Sequence, residues 1–266
     1  MPALLFLTVT LVSLVAAPVF AAEPEIPAKP HGADYTQYEL QRITAKPGKL
    51  DKIHTWLRAH QDDVLATHGA TNIAYLVPVG DNPADKLVCI YRYPSLEDRV
   101  KCSRACRADP SWKPMDPEGK TAESLIEKVE SVAFRPLSYS PKFAPTKSPE
   151  PRVFELRTYT CPSPEKLFYL HERFRDHTMK LFEKHGMENL IYWSPMDMDD
   201  SDRKLVYLLG HKSVEAAKES FANFRKDTDW LAAREASEKK AGGSLTEKEG
   251  GVVSEFFVAT DYSPLK

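Results

Sequence analysis

The residues of this sequence that most readily do chemistry near neutral pH are its histidines, since imidazole both exchanges protons and binds metal ions. Three of them, His171, His177 and His185, fall within one stretch, residues 153–195. On an amphipathic helix with this spacing, His171 and His185 lie on or beside the apolar stripe and His177 lies at its edge. All three can therefore face the sheet against which such a helix packs.

Three other side chains complete a candidate site around the same helix. Tyr192 lies on the strand that follows, and its neighbour Trp193 points to the opposite face of the sheet. An imidazole and a phenol on one wall suit a mostly apolar ligand that carries one oxygen. Glu155 and Arg157 share one face of the preceding strand, where they either meet a polar group of the ligand or pair with neighbouring side chains.

The ligand-binding candidates are therefore His177, Tyr192, Glu155 and Arg157, in a pocket between helix and sheet; no catalytic residue is assigned. The alternative is a structural role, in which the histidines are half-buried and hydrogen-bonded. His185 would then serve the C-terminal end of its helix, where a cation is stabilised by the helix dipole.

Metal and cofactor sites have little support in the sequence. The spacing HxxxxxH of His171 and His177 is not a standard ligand pattern, and neither HExxH nor a facial triad occurs. We expect no metal and no cofactor. A haem held by one axial histidine stays open as an alternative, because a single ligand leaves no motif. The acidic run at residues 196–203 lacks the spacing of a calcium loop and is interpreted as a solvated turn.

The four cysteines are Cys89, Cys102, Cys106 and Cys161. Cys102 and Cys106 lie one helical turn apart, a spacing that does not favour a disulfide within a regular helix, although a distorted turn would allow one. Free buried thiols are the expected state. No CxxC pair occurs, so the sequence predicts neither a zinc site nor a redox site.

Composition bounds the class of protein. The chain has 266 residues, enough for two domains, and 36 basic against 38 acidic residues give a formal net charge of −2. That balance offers no electrostatic reason to expect nucleic acid as a partner.

The first 22 residues carry no charged side chain and contain an apolar run of signal-peptide length. Val19 and Ala21 are small enough for a cleavage site, so the mature chain would start at Ala22 and be exported to the periplasm or medium. No basic residue precedes the run, which departs from the usual pattern. An uncleaved N-terminal membrane anchor is therefore the alternative. Residues 23–36 are rich in proline and polar side chains and are interpreted as a flexible leader.

Two modules follow, 37–139 and 153–262, joined by a proline-rich linker at 140–152 that favours an extended, semi-rigid path. Each module shows the order βαββαβ of a ferredoxin-like unit. The predicted strands are 38–44, 73–79, 86–93, 129–137, 153–160, 187–195, 203–212 and 252–259. The predicted helices are 49–68, 95–107, 164–185, 213–225 and 228–240.

The two modules repeat each other, and such self-similarity decides the architecture. The matching pairs are Glu39 and Glu155, His54 and His171, His60 and His177, His68 and His185, Asn72 and Asn189, Tyr75 and Tyr192, Arg107 and Arg225, Asp109 and Asp227, Trp112 and Trp230, and Tyr139 and Tyr262. Trp193 matches Leu76, so Tyr192 is preferred to Trp193 as the aromatic residue of the site.

The second module, with FELRTYT at 154–160, LHERFRDHTMKLFEKHGM at 170–187 and TDYSP at 260–264, closely resembles the NIPSNAP family. The first module is a more divergent copy. The resemblance implies the dimeric α+β barrel superfamily, in which two ferredoxin-like units pair their sheets into one barrel. That superfamily contains cofactor-free monooxygenases, haem-handling enzymes and proteins without an assigned reaction, so the fold alone supplies no activity.

We therefore expect an α+β protein whose tandem modules form a pseudo-dimer within one chain, monomeric rather than homodimeric. The expected function is an exported, non-enzymatic module that binds an apolar small molecule or a partner protein, without a membrane span after removal of the signal. The alternative is a cofactor-independent oxygenase or isomerase acting on a small apolar substrate in a pocket lined by histidine and tyrosine. Any ligand site is expected in the second module, which keeps the fuller motif.

Overall fold

The computed structural model of the chain describes residues 36–80, 85–115, 123–148 and 150–266, with backbone alone at 61–64. The predicted signal peptide lies outside the described residues, as does all but the last residue of the leader. Within the described part of the chain, no helix combines the length and apolar character needed to cross a membrane.

The first module has four strands and two helices in the predicted order. They are β1 (Gln37–Ala45), α1 (Leu50–Thr67), β2 (Thr71–Pro78), β3 (Lys86–Tyr93), α2 (Leu96–Ala108) and β4 (Ile126–Pro136), with a short 3₁₀ turn at Pro110–Met115. Helix α2 begins where Ser95 Oγ accepts a hydrogen bond from the Asp98 backbone at 3.1 Å, the N-cap that its sequence indicates.

The second module repeats this order, with its first helix in two segments and one additional helix before the last strand. Its elements are β5 (Val153–Thr160), α3 (Pro164–Arg173), α4 (Met179–Lys184), β6 (Glu188–Pro195), β7 (Lys204–His211), α5 (Val214–Phe224), α6 (Thr228–Lys240) and β8 (Val252–Ala259). Ser163 caps α3 and Ser213 caps α5, each by accepting a backbone N–H bond three residues further on.

Helices α3 and α4 form the continuous helix predicted at 164–185, but they are joined by a wide π-helical turn, Phe174–Thr178. The buried Thr178 hydroxyl donates to the carbonyl of Arg173, five residues back, at 3.1 Å. This bond supports the wider turn, because it occupies a carbonyl that a regular helix would pair with an amide.

The eight strands close into one antiparallel barrel in the order β1-β3-β2-β8-β5-β7-β6-β4. Each module contributes a four-stranded sheet, and the two seams are the pairs β2–β8 and β4–β6. The chain is thus a dimeric α+β barrel made by one polypeptide, as predicted.

Side chains from both modules fill the barrel interior. Trp193 is fully buried in this core, with ring centroids 5.3 Å from Phe134 and 5.6 Å from Tyr38. Tyr192 faces the helices instead, which confirms the predicted alternation of the two neighbours. Phe143 of the linker and Leu265 near the C-terminus pack into the same core, so the linker is part of the fold as well as a tether.

Each module ends in a short tail that reaches the helix of the other module. The tail after β4, residues 139–141, places the Tyr139 hydroxyl 2.7 Å from His171 Nδ1 on α3. The tail after β8, residues 262–264, places the Tyr262 hydroxyl 2.6 Å from His54 Nδ1 on α1. These reciprocal bonds explain why both the tyrosine and the histidine recur in each copy.

The serines of the two tails also bind the opposite module. Ser140 Oγ accepts the Tyr192 backbone N–H of β6 at 2.9 Å, and Ser263 Oγ accepts the Tyr75 backbone N–H of β2 at 3.0 Å. Each tail therefore binds a strand as well as a helix of the opposite module, beside the seam where the two sheets meet.

We expect the variants Tyr139→Phe and Tyr262→Phe each to lower the free energy of unfolding by about 1–3 kcal/mol, because each leaves a partly buried imidazole without its partner. Urea denaturation followed by circular dichroism measures this loss. Tyr169→Phe is the matched control, since that ring lies on α3 against Phe168 and Lys240. Equal stability of all three variants would show that the tails do not hold the modules together.

Candidate functional site

His177 lies in the π-helical turn and is exposed. With Asp176, Lys180 and alanines of α6 it lines an open groove of about 780 Å³. Tyr192 is fully buried beneath the helices, where its hydroxyl donates to Asn189. The structure does not bring His177 and Tyr192 together, because the 100° per residue of a regular helix does not hold through the wide turn.

His171 and His185 have structural partners. Burial lowers the pKa of His171 to about 4, so at neutral pH its uncharged ring pairs with the Tyr139 hydroxyl. His185 Nε2 lies 2.7 Å from Asp227 Oδ2, just beyond the C-terminal end of α4. This is the structural role left open for both histidines by the sequence.

Glu155 and Arg157 meet in the layer between sheet and helices of the second module, 2.5 Å apart. His211 Nε2 lies 2.9 Å from the other oxygen of Glu155, and Ser254 donates to the carboxylate at 2.5 Å. Burial alone would raise the pKa of Glu155. The His211 bond and the Arg157 charge outweigh it, so the pKa lies below its usual range.

Aromatic rings close this second-module cluster. The Arg157 guanidinium stacks 4.3 Å from the centre of the Phe221 ring, and Tyr207 packs against Phe174 and Tyr192 at 5.3 and 5.0 Å. Because these rings fill the layer, Glu155 and Arg157 are held in a closed ion-pair network. Their predicted contact with a ligand stays a prediction.

The first module has the same cluster at the equivalent positions, with different partners. Glu39 takes the place of Glu155 and accepts hydrogen bonds from Ser131 at 2.5 Å, Tyr93 at 3.0 Å and Gln41 at 3.1 Å. Arg99 Nε lies 3.5 Å away. A buried carboxylate with a serine from the neighbouring strand is therefore a feature of both modules.

Glu39 borders a cavity of about 220 Å³ between the sheet and the helices of the first module. Most of its wall is apolar or aromatic. The residues that line it include Glu39, Tyr91, Tyr93, Cys102, Ser103, Cys106, Arg107, Trp112, Met115 and Ser131. Ser103 and Ser131 are exposed, so the cavity opens to solvent beside them.

The cavity has a direct cause in the sequence. The repeat aligns α2 with α5 without a gap, so Ser103 takes the position of Phe221 and Cys106 that of Phe224. In the second module both phenylalanines are buried and pack on Phe182. Two small side chains in the first module leave that volume empty. A pocket between helix and sheet was expected in the second module, but the layer there is filled, and the space is in the first.

Sequence reasoning missed Glu39, Tyr93 and His211 as members of these clusters. Tyr93 and His211 are the last residues of β3 and β7, and they reach the carboxylate only because those strands pair with β1 and β5. The signal that could have found them is the repeat itself, which aligns Tyr93 with His211 and Ser131 with Ser254.

No three His, Cys, Asp or Glu side chains in the described ranges lie close enough together to hold a metal ion. A model of the NIPSNAP family matches residues 38–141 and 154–264, which together cover most of the chain. The chain belongs to the NIPSNAP family. The two matched segments are its tandem copies. Comparison with curated proteins finds no match.

Solved structures share the fold over most of the chain. A candidate monooxygenase from Fusobacterium nucleatum is 10% identical, with 85% of this chain and 92% of that chain covered at a TM-score of 0.53. A second, from Lactobacillus acidophilus, is 13% identical, with 85% and 93% covered at a TM-score of 0.51. A NIPSNAP family protein of unknown function from Agrobacterium tumefaciens is 23% identical over 42% of this chain and 96% of its own, with a TM-score of 0.34.

The lowered pKa of His171 predicts a loss of stability on acidification. Between about pH 6.5, the usual pKa of histidine, and pH 4, the unfolded chain binds a proton at this site that the folded chain does not. The stability present above pH 6.5 should therefore fall by an amount on the order of 3 kcal/mol towards pH 4.

Urea titrations at several pH values test this prediction. His171→Gln removes the titrating group, so the slope of stability with pH should be shallower in this variant than in the parent across that window. Phe168→Ala, which removes an exposed side chain without a titrating group from the same helix, should retain the parent slope. If the free energy of unfolding changes with pH as steeply in His171→Gln as in the parent, the His171 ring is not the source of the pH dependence.

Proposed function

We propose that this NIPSNAP protein is an exported, non-enzymatic binding protein for a small molecule, held in the cavity of its first module. The observation that carries the proposal is a cavity of about 220 Å³ beside a buried carboxylate cluster. Because this cavity opens to solvent and has a mostly apolar wall, a small molecule that enters it can bury apolar surface there. The closed barrel leaves each module paired with the other, which supports a monomeric protein.

The cavity limits the size of the ligand. Sites for drug-sized molecules occupy about 300–1,000 Å³, so the occupant of this one is smaller. Its body is apolar or aromatic, because Tyr91, Trp112 and Met115 form much of the wall. One polar group of the ligand would lie at the Glu39 corner.

The polar corner selects against anions. Glu39 presents only acceptor oxygens, and these are already engaged by Ser131, Tyr93 and Gln41. Burial raises the pKa of Tyr93 far above neutral, so its hydroxyl stays protonated and its proton points to Glu39. The lone pairs of that hydroxyl are left to accept from the ligand. An alcohol or an amine fits this corner, and a carboxylate does not.

A cofactor-independent isomerase or oxygenase is the second candidate. It is favoured by a carboxylate and a phenol at the edge of one cavity, a pairing that could move a proton. Two structures of the same fold are candidate monooxygenases, although at such low identity they support the fold alone. Binding is preferred because four protein donors already occupy Glu39, which leaves it poorly placed to take a proton from a substrate.

Native mass spectrometry of the purified full chain tests the proposal. We expect a retained small molecule, or a protein stabilised by small aromatic alcohols and amines and not by the matching acids. Ser103→Phe introduces the side chain found at the same position of the second module, so it should fill the mouth of the cavity and abolish retention. Lys101→Ala, on the exposed face of the same helix, is the matched control.

Three outcomes of that experiment would contradict the proposal or favour the enzymatic candidate. Retention that survives Ser103→Phe places the ligand elsewhere, and His177→Ala then tests the groove beside α6. Acids that stabilise the protein as well as amines do would contradict the role of Glu39. Turnover of a bound alcohol or amine that Glu39→Gln abolishes would favour the enzymatic candidate.

Export predicts a chemical signature at the N-terminus. Protein recovered from the envelope or the medium should have an intact mass that begins at Ala22, because Val19 and Ala21 suit a signal-peptidase site. Full-length chain in the membrane fraction would instead indicate the uncleaved anchor.

A further inference from the structure

Two thiols of helix α2 lie side by side on the wall of the first-module cavity. Cys102 Sγ and Cys106 Sγ are 3.9 Å apart, and both residues are buried. The thioether residue Met115, from the turn that follows α2, is buried and lines the same cavity. Three sulfur-containing side chains thus border one space that solvent reaches.

We infer that Cys102, Cys106 and Met115 form a binding site for a soft monovalent metal ion, Cu(I), with Ag(I) as its close analogue. Thiolate and thioether sulfur together select soft cations such as Cu(I). With metal–sulfur bonds of ~2.3 Å, two sulfurs 3.9 Å apart subtend about 116° at the metal. That angle is close to the 120° of a three-coordinate site, so little movement of the two thiols is needed.

Other ions fit this donor set less well. Zinc sites are built from thiolate, imidazole and carboxylate ligands, usually four of them. No cluster of three such residues exists in the part of the chain that the structure describes, and the third donor beside this thiol pair is a thioether. Calcium and magnesium require oxygen ligands.

The charges around the site are compatible with Cu(I). Binding forms two copper–thiolate bonds and releases one proton from each thiol, while copper keeps its oxidation state and no oxidant is consumed. The resulting site carries one negative charge. Arg107, on the same helix, lines the cavity and offsets that charge, while Arg99 offsets Glu39.

The rest of the chain supplies internal controls. The second module has Ser220 and Phe224 where the first has Cys102 and Cys106, so the repeat predicts one site per chain. Cys89 and Cys161 are also free and buried, but neither lies beside a second thiol in the hydrogen-bonded contact that joins Cys102 and Cys106. A substitution at Cys161 therefore removes a buried thiol without touching the proposed site.

The test uses the full chain, reduced and kept under anaerobic conditions. Cu(I) is titrated in competition with a chromophoric Cu(I) chelator, and the ultraviolet copper–thiolate absorption is followed in parallel. We expect one Cu(I) per chain. Cys102→Ser and Cys106→Ser should each weaken binding by at least ~100-fold, and Met115→Leu by ~10-fold. Cys161→Ser should leave both the affinity and the stoichiometry unchanged.

Four results would overturn the inference: no binding by the reduced parent, binding that Cys102→Ser and Cys106→Ser leave intact, equal losses in Cys161→Ser, or Zn(II) binding as tight as Cu(I) binding at the same two cysteines. Circular dichroism of each variant checks folding. Should a serine variant unfold, Cys106→Ala replaces it, and Ag(I) bound per chain is counted by native mass spectrometry.

The proposed metal site and the proposed small-molecule site can be tested separately, with variants that change one and not the other. Glu39→Gln alters the polar corner but removes none of the three sulfur donors, so this variant should still bind one Cu(I) per chain. Ser103→Phe fills the mouth of the cavity while both thiols stay in place, so it should abolish the organic ligand and retain Cu(I). If Cys102→Ser or Cys106→Ser loses both Cu(I) and the organic ligand while Glu39→Gln retains both, the organic ligand is bound through the metal.

Discussion

The rest of the structure depends on a reciprocal exchange of tails between the two modules. Tyr139 of the first binds His171 of the second, and Tyr262 of the second binds His54 of the first. A buried imidazole without a partner is costly, so neither helix layer is complete until the other module has contributed its tail. The tails lie where the two sheets join, so they reinforce the seams that close the barrel around Trp193.

The two layers outside the barrel are free to differ because they have separate cores. The second module fills its layer with Phe221, Phe224 and Tyr207, and its buried carboxylate is locked by His211 and Arg157. The first module retains the carboxylate but replaces bulky rings with small side chains, and a cavity results. One copy thus shows the closed form of the layer, and the other shows an open form that can accept a ligand.

Much of the fold could be predicted from the sequence, because strand alternation, serine caps and the repeat all indicate the same arrangement. Strand and helix limits agree within a few residues, and the opposite directions of Tyr192 and Trp193 follow from strand geometry alone. The site could not be predicted in the same way. The π-helical turn at Phe174–Thr178 changes the direction of the side chains that follow along the helix. The position expected for His177 on a regular helix is therefore wrong. Tyr93 and His211 join their clusters only through strand pairing between distant segments.

The long sequence separation between His54 and Tyr262 matters for the order in which the protein folds during synthesis. Domains usually fold from the N-terminus as the chain emerges. Here His54, in the first helix, acquires its partner only when the ribosome has added another 208 residues. The strand β8 that closes one seam also comes last. The first module therefore stays incomplete until the second has been made, so the two modules complete their folding together.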